Sequence, residues 1–196
     1  MPTLSLGGKV IATQTGSAEP VLADNVVYAK ATKAIVKIEQ TVKNNRFLAA
    51  AATTEQIITD FNCSITPSLA NSKILVQYSF DTSSDSTLTA YTYIERKIGT
   101  GAYAKLSGMM GEDTGSSNNS PALSHGGGGQ YNWMCYKHAG MYQDTPSYTL
   151  GEQITYRIGL LSESTSQTIS VGSTRRDNSV HHPRTASILI LMEVAA

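Results

Sequence analysis

Apolar and polar side chains alternate with a period of two through most of this chain. Ile74, Val76, Tyr78 and Phe80 share one side of one segment, Leu88, Ala90, Thr92 and Ile94 one side of the next, and Ile154, Tyr156, Ile158 and Leu160 one side of a third. Successive side chains of an extended chain point to opposite faces, so this period predicts half-buried β-strands and not helices. At the C-terminus the pattern changes. Ile188, Ile190, Met192 and Val194 alternate with Ser187, Leu189, Leu191 and Glu193, so both sides of the segment are largely apolar. Such a strand is expected inside a sheet, and the domain closes on its last residues.

The segment of Leu88 to Ile94 runs over 87–97, and further strands are predicted at 33–42, 60–67 and 168–173. Polar turns separate them at Lys43-Asn-Asn-Arg46, Pro67-Ser-Leu-Ala-Asn-Ser72 and Asp81-Thr-Ser-Ser-Asp-Ser86. Phe47 to Thr54 holds four successive alanines, the best helix formers, but β-branched residues follow and no cap is present, so an extended or loop conformation is expected. Residues 108–147 contain Gly111, Gly115 and Gly126-Gly-Gly-Gly129 and are expected as long surface loops, with a second loop at 174–184. Residues 1–32 are broken by Gly7-Gly8, Gly16-Ser17 and Glu19-Pro20, and are expected as an extended N-terminal arm. Its apolar pieces, Val10-Ile11, Val21-Leu22 and Val26-Val27-Tyr28, are too short to make a core and are the candidate attachment residues. The expectation is an all-β chain: an antiparallel β-sandwich or jelly roll over 33–196, built from seven to nine strands.

Composition narrows the function. The 196 residues carry fifteen basic and fifteen acidic side chains, only 15% charged in all, so no net field draws a phosphate backbone or an anionic lipid surface. Neither nucleic acid nor membrane is expected as a partner. The first residues lack the charged and apolar regions of a signal peptide, so synthesis in the cytoplasm without signal-directed export is expected. Cys63 and Cys135 have no His or Cys neighbours at zinc spacing and are expected as two ordinary buried or half-buried thiols.

Two segments carry a resemblance. Ile65-Thr-Pro-Ser-Leu-Ala-Asn-Ser-Lys-Ile-Leu-Val76 resembles a strand, turn and strand met in bacteriophage tail-fibre and capsid-decoration proteins, where it opens a β-sandwich. Thr185-Ala-Ser-Ile-Leu-Ile-Leu-Met-Glu-Val194 resembles the closing strand of the same group. Between them Tyr93-Ile-Glu-Arg96 and Ile154-Thr-Tyr-Arg-Ile158 stand in the order of two further strands, while Ile169-Ser-Val-Gly-Ser173 and the glycine-rich middle depart from the pattern. The resemblance spans 33–196. It implies a virion structural protein, generally a homotrimer, attached to the particle by its N-terminal segment.

Candidate chemistry is sparse. His181 and His182 stand in an arginine-rich loop. Adjacent histidines on an extended segment point to opposite sides, so a metal would need donors such as His125 or His138, and a loop touching a neighbouring subunit is the simpler reading. Tyr131, Trp133 and Tyr136 suit a sugar face or a protein contact, but a strand anchor or a seam between subunits at Trp133 is the simpler reading. Gly126 to Gly129 is followed by no Lys-Ser or Lys-Thr and is not a phosphate loop. No nucleophile elbow or catalytic carboxylate pair is legible, so neither enzyme activity nor a cofactor is expected.

The expected function is a trimeric capsid-decoration protein located on the virion, with the major capsid protein or a fibre or tail base protein as partner. The short chain has no collagen-like or coiled-coil shaft, which favours the capsid. The alternatives are the receptor-binding tip of a tail fibre, using the 108–147 loops on host surface glycans, and a free-standing carbohydrate-binding module.

Overall fold

The structure, a computed structural model, describes residues 3–6, 9–13, 21–22, 33–51, 53–84, 89–111, 122–127, 133–162, 165, 168–178 and 180–196. Strands β1 (Thr3–Leu6), β2 (Lys9–Thr13) and β3 (Val21–Leu22) form a small antiparallel sheet of their own, in the order β1-β2-β3. The segment expected as an extended arm thus doubles back, with Leu6 opposite Lys9 across a Gly7-Gly8 sequence that favours reversal. Val10 and Ile11 lie on β2 and Val21 and Leu22 make up β3. Val26, Val27 and Tyr28 lie outside the described residues.

The remaining strands are β4 (Ile35–Lys43), β5 (Phe47–Leu48), β6 (Gln56–Ile65), β7 (Lys73–Ser84), β8 (Thr89–Ile98), β9 (Ala104–Lys105), β10 (Ser124–Gly127), β11 (Tyr136–Asp144), β12 (Ile154–Ser162), β13 (Ile169–Val171) and β14 (Ser187–Val194). All pair antiparallel. One sheet runs β4-β14-β7 with β11 on the far side of β7, and the other runs β10-β8-β12-β6. Among these eight long strands, every chain step except β8 to β10 crosses from one sheet to the other, which is jelly-roll connectivity. The short β13–β5 pair adds to β7 beyond the end of β14, and β9 adds to β8. The all-β sandwich read from the alternation is the fold.

Between the sheets lies one apolar core. Ile74, Val76, Tyr78 and Phe80 from β7 meet Ile154, Tyr156, Ile158 and Leu160 from β12, all buried. The Phe61 and Phe80 rings meet edge to face with centroids 5.7 Å apart. As expected, β14 is an interior strand, with β4 on one side and β7 on the other, and it turns Leu189 and Leu191 into the core.

Three polar links tie distant parts of the core together. The Glu193 carboxylate at the end of β14 is fully buried. It accepts from the Ser68 N–H (2.9 Å), the Leu69 N–H (2.9 Å) and the hydroxyls of Ser68 and Ser72 (both 2.8 Å), so it fills the turn between β6 and β7. The Tyr148 hydroxyl completes that turn, accepting from the Ser72 N–H and donating to the Leu69 carbonyl. Asp144 on β11 receives Arg96 through both oxygens (2.9 and 2.7 Å) and the Tyr156 hydroxyl (2.7 Å), joining one sheet to the other. His138, stacked on Phe80 at 4.8 Å, bridges Thr82 of β7 (2.7 Å) and Ser124 of β10 (2.9 Å).

Two expectations are corrected. Asp81 to Ser84, read as the start of a polar turn, continue β7 as buried strand residues paired with β11 and β13. Residues 136–144, placed within a loop region, form the nine-residue strand β11 paired along its whole length with β7. Its inward positions hold Tyr136, His138, Gly140 and Tyr142 where a core strand normally shows β-branched residues. Gly140 is required there because the Tyr78 hydroxyl occupies the space a Cβ would take, 2.5 Å away.

Burial pushes the Glu193 carboxyl upward, yet the donors from Ser68, Ser72 and Leu69 outweigh it and hold it below the usual carboxylate value. Its contribution to stability is therefore present above the unfolded pKa, about 4.3, and is lost as pH falls through the lower folded value. Glu193→Ala strands these donors without an acceptor, for an expected cost of about 1–3 kcal/mol in urea unfolding at neutral pH. That difference from the wild type should shrink in acid; a gap that persists there refutes the assignment.

Candidate assembly face

The outer side of the β4-β14-β7-β11 sheet is built from register. In one row across it stand Val42, Ile188, Ser79 and Ala139. The next row holds Gln40, Ile190, Gln77 and Met141, and the third Ile38, Met192, Leu75 and Gln143. These three rows of four contain no charged side chain, and none of their members is buried. Ile38 is 59% exposed, Met141 63% and Val42 45%. With strands ~4.8 Å apart and same-face neighbours ~6.8 Å apart, the rows cover roughly 400 Å² of sheet. Eight of the twelve positions are apolar and four, Gln40, Gln77, Gln143 and Ser79, are polar but uncharged.

The pattern of β4 is inverted. Its inward side carries Lys37, Glu39, Thr41 and Lys43, and its outward side Ile38 and Val42. Lys37 Nζ donates to the Thr66 carbonyl at 3.1 Å and pairs with Glu39 at 3.4 Å, both side chains more than a third exposed, while Lys43 Nζ donates to Asn45 Oδ1 at 2.7 Å in the turn after β4. Inward-pointing charges of this kind keep an edge strand, which β4 is, from pairing with a further chain. Charge returns only at the rim, at the Lys137–Asp81 pair (3.0 Å) at one end and Lys73 at the other.

The outer side of the second sheet is different in kind. Arg157 pairs with Glu95 at 2.6 Å and lies over the Tyr103 ring at 3.5 Å, while Lys105 lies over Tyr93 at 4.8 Å and pairs with Glu55. Gly159 leaves the room that the Tyr93 ring fills. This is a water-facing surface whose charges are already matched.

The residues singled out from sequence fall elsewhere. Trp133 precedes β11 at 48% exposure, Tyr136 opens β11 half-buried on its inward side, and Tyr131 lies outside the described residues. His181 is exposed, and His182 is half-buried with its Nδ1 accepting from the Asn178 N–H at 3.2 Å. His138 has both ring nitrogens engaged in the core, so it is no donor to a metal shared with that loop. No group of three or more metal-ligating side chains forms among the described residues.

Instead of the histidines, a carboxylate organises this loop. Asp177 receives Arg184 through two nitrogens (3.1 and 2.9 Å) and Arg46 through a third (3.4 Å), and Arg46 also reaches the Arg175 carbonyl (3.0 Å) and the Ser170 hydroxyl (3.0 Å). The 174–184 loop is thereby pinned to the turn after β4. Asp177 has positive φ, +36°, and the sequence signal, an Asp directly after Arg175-Arg176, was visible without its partner at Arg46 being so.

The remaining chemistry is structural in geometry. Ser124 and His138 make a hydroxyl–imidazole contact, but the ring is buried against Phe80 and its other nitrogen meets Thr82, not a carboxylate. Cys63 is buried and Cys135 half-buried, as expected, and burial raises both thiols, Cys135 to about 11, so neither is a thiolate at neutral pH. A cavity of about 450 Å³ opens at the free edge of β11 among Met109, Met110, Met141 and the Tyr78 and Tyr142 rings, adjoining the uncharged face at Met141.

No family model matches the chain, and no curated protein matches it.

The hydrogen bonds from Arg184, and the nearby charges of Arg184, Arg46 and His182, hold the Asp177 carboxyl below its usual range against a smaller opposing effect of desolvation. The pin is thus present above the ordinary carboxyl pKa and is released as pH falls through the lower folded value. Asp177→Asn should raise amide exchange across 174–184 at neutral pH while leaving exchange in β7 and β14 unchanged. Equal protection of the loop in variant and wild type would remove the role given to this carboxylate.

Proposed function

We propose that this chain is a non-enzymatic structural protein of a phage particle. It decorates the capsid as a homotrimer and is held to the major capsid protein by residues 1–32. The observation that carries an assembly role is the uncharged outward face of the β4-β14-β7-β11 sheet, on a chain whose other face is a matched array of charges. A domain that stays alone in water gains nothing from such a surface and risks aggregation through it.

The particle enters through resemblance. Its two end motifs, Ile65 to Val76 and Thr185 to Val194, are the segments that Glu193 joins, so the resembling residues are those that close the fold. Jelly rolls serve in capsids and in lectins, and here they lend support by analogy. Attachment by 1–32 would use the short strands β1 to β3, whose sheet has two open edges for main-chain pairing with a partner strand. Three linked arms raise the effective concentration of each after the first has docked. The second reading, a receptor-binding tip, is favoured by Trp133, a large aromatic half exposed at the start of β11.

Deleting residues 1–32 should leave the circular dichroism and thermal unfolding of the sandwich intact while abolishing binding to particles. A truncated chain that still decorates capsids refutes the arm's role. Density at a tail appendage in electron microscopy of the particle would replace the capsid reading by the receptor reading.

A further inference from the structure

We infer that the cavity beside β11 binds a small, uncharged, largely aromatic molecule, to which the Tyr78 hydroxyl donates a hydrogen bond. This site lies outside the assembly reading and does not depend on it.

The starting point is a buried phenol with nothing to bond. Tyr78 is 5% exposed, and its hydroxyl has no hydrogen-bond partner among the described residues. Burial raises its pKa, so the group stays a neutral O–H donor. A phenylalanine ring would fill the same core space without the penalty of a desolvated hydroxyl. The hydroxyl is instead led out of the core. It passes over the bare α-carbon of Gly140, where an added Cβ would lie 2.5 Å from it, and lines the cavity of about 450 Å³. Tyr142 repeats the arrangement at the same cavity, its hydroxyl 2.5 Å from the place of a Cβ on Gly108. Two glycines thus admit two phenols to one space.

The walls select the chemistry of what enters. No charged side chain lines the cavity, so an ion would lose its water and meet no opposite charge. Main-chain donors in the wall are already engaged: the N–H groups of Met109 and Met110 bond the carbonyls of Leu106 and Ser107, that of Gly111 the Ala122 carbonyl at 3.1 Å, and that of Leu123 the Thr92 carbonyl at 2.7 Å. A sugar needs partners for several hydroxyls and would leave most of them unpaired there, whereas a ligand with one or two polar atoms would not. The rest of the lining is apolar and adaptable, with Met109, Met110 and Met141 supplying half of the chain's six methionines. Methionine sulfur favours contact with aromatic rings, and its unbranched side chain adjusts to their outline. Glycine backbone at 108, 111 and 140 lets a flat ring come close. The volume falls in the range of small-molecule sites, about 300–1,000 Å³.

The test is a titration of the full chain with 2-naphthol at neutral pH, followed by NMR of ¹³C-labelled methionine methyl groups. The signals of Met109, Met110 and Met141 should move together, while that of Met192, on the outer face of the sheet, should stay. Tyr78→Phe should weaken 2-naphthol about three- to tenfold and leave naphthalene, which has no hydroxyl, unchanged. The same variant should unfold at or above the wild-type temperature, because it removes no bond of the fold. Ala122→Phe should block both compounds by filling the cavity, and the anion 2-naphthalenesulfonate should not bind. An absence of 2-naphthol binding at millimolar concentration overturns the inference. So does binding that Tyr78→Phe leaves as tight as before, a shift confined to Met192, or a Tyr78→Phe chain of clearly lower stability, which would show the hydroxyl bonded within the fold. If Ala122→Phe does not fold, the comparison of 2-naphthol with naphthalene on Tyr78→Phe decides alone.

Discussion

A single buried carboxylate sets the frame of this domain. Glu193 sits one residue from the end of the last strand and is wholly inside, where it survives only because the turn between β6 and β7 aims two N–H groups and two hydroxyls at it. The contact joins residues 121 to 125 positions apart in the chain, so it ties the last strand to the turn between β6 and β7. It also decides register. A slip of β14 by one residue would turn Glu193 to water and exchange every inward for every outward side chain.

That register is what creates the outer face. β14 is apolar on both sides, so hydrophobicity alone does not choose between Leu189 and Leu191 inside and Ile188, Ile190 and Met192 inside. With Glu193 held inward, the leucines fill the core and the other set is presented outward beside Ile38 and Val42 of β4. The fold and this outer face therefore share one cause, the register that Glu193 sets.

Elsewhere polar chemistry is used as fastening. Arg96, Asp144 and Tyr156 clasp the two sheets, and burial followed by the Asp144 charge raises the Tyr156 hydroxyl so far that it remains a hydrogen-bond donor at any working pH. His138 spans Thr82 and Ser124 across the same gap, and Arg46 and Arg184 hold the 174–184 loop through Asp177. Each of these groups is a type that also builds active sites, and each is here occupied by a partner belonging to the scaffold.

The alternation of side chains was enough, by itself, to determine the all-β class, the strands around Ile74–Phe80 and Ile154–Leu160, and the interior place of β14, because a period of two is local and survives in any context. It did not reveal β11, whose inward positions are His138 and Gly140 and take their shape from Phe80 and Tyr78 on a strand some sixty residues earlier. Nor did it separate the folded-back strands β1 to β3 from an extended arm, since pieces of two to five residues carry too little pattern. Candidate residues chosen for their chemistry, His181, His182 and Trp133, stood out as types, while the outward rows consist of ordinary isoleucines, methionines and glutamines that acquire meaning only when register aligns four strands. Which of two apolar faces is buried is a long-range choice made by Glu193 and its turn, and only the tertiary structure could make it.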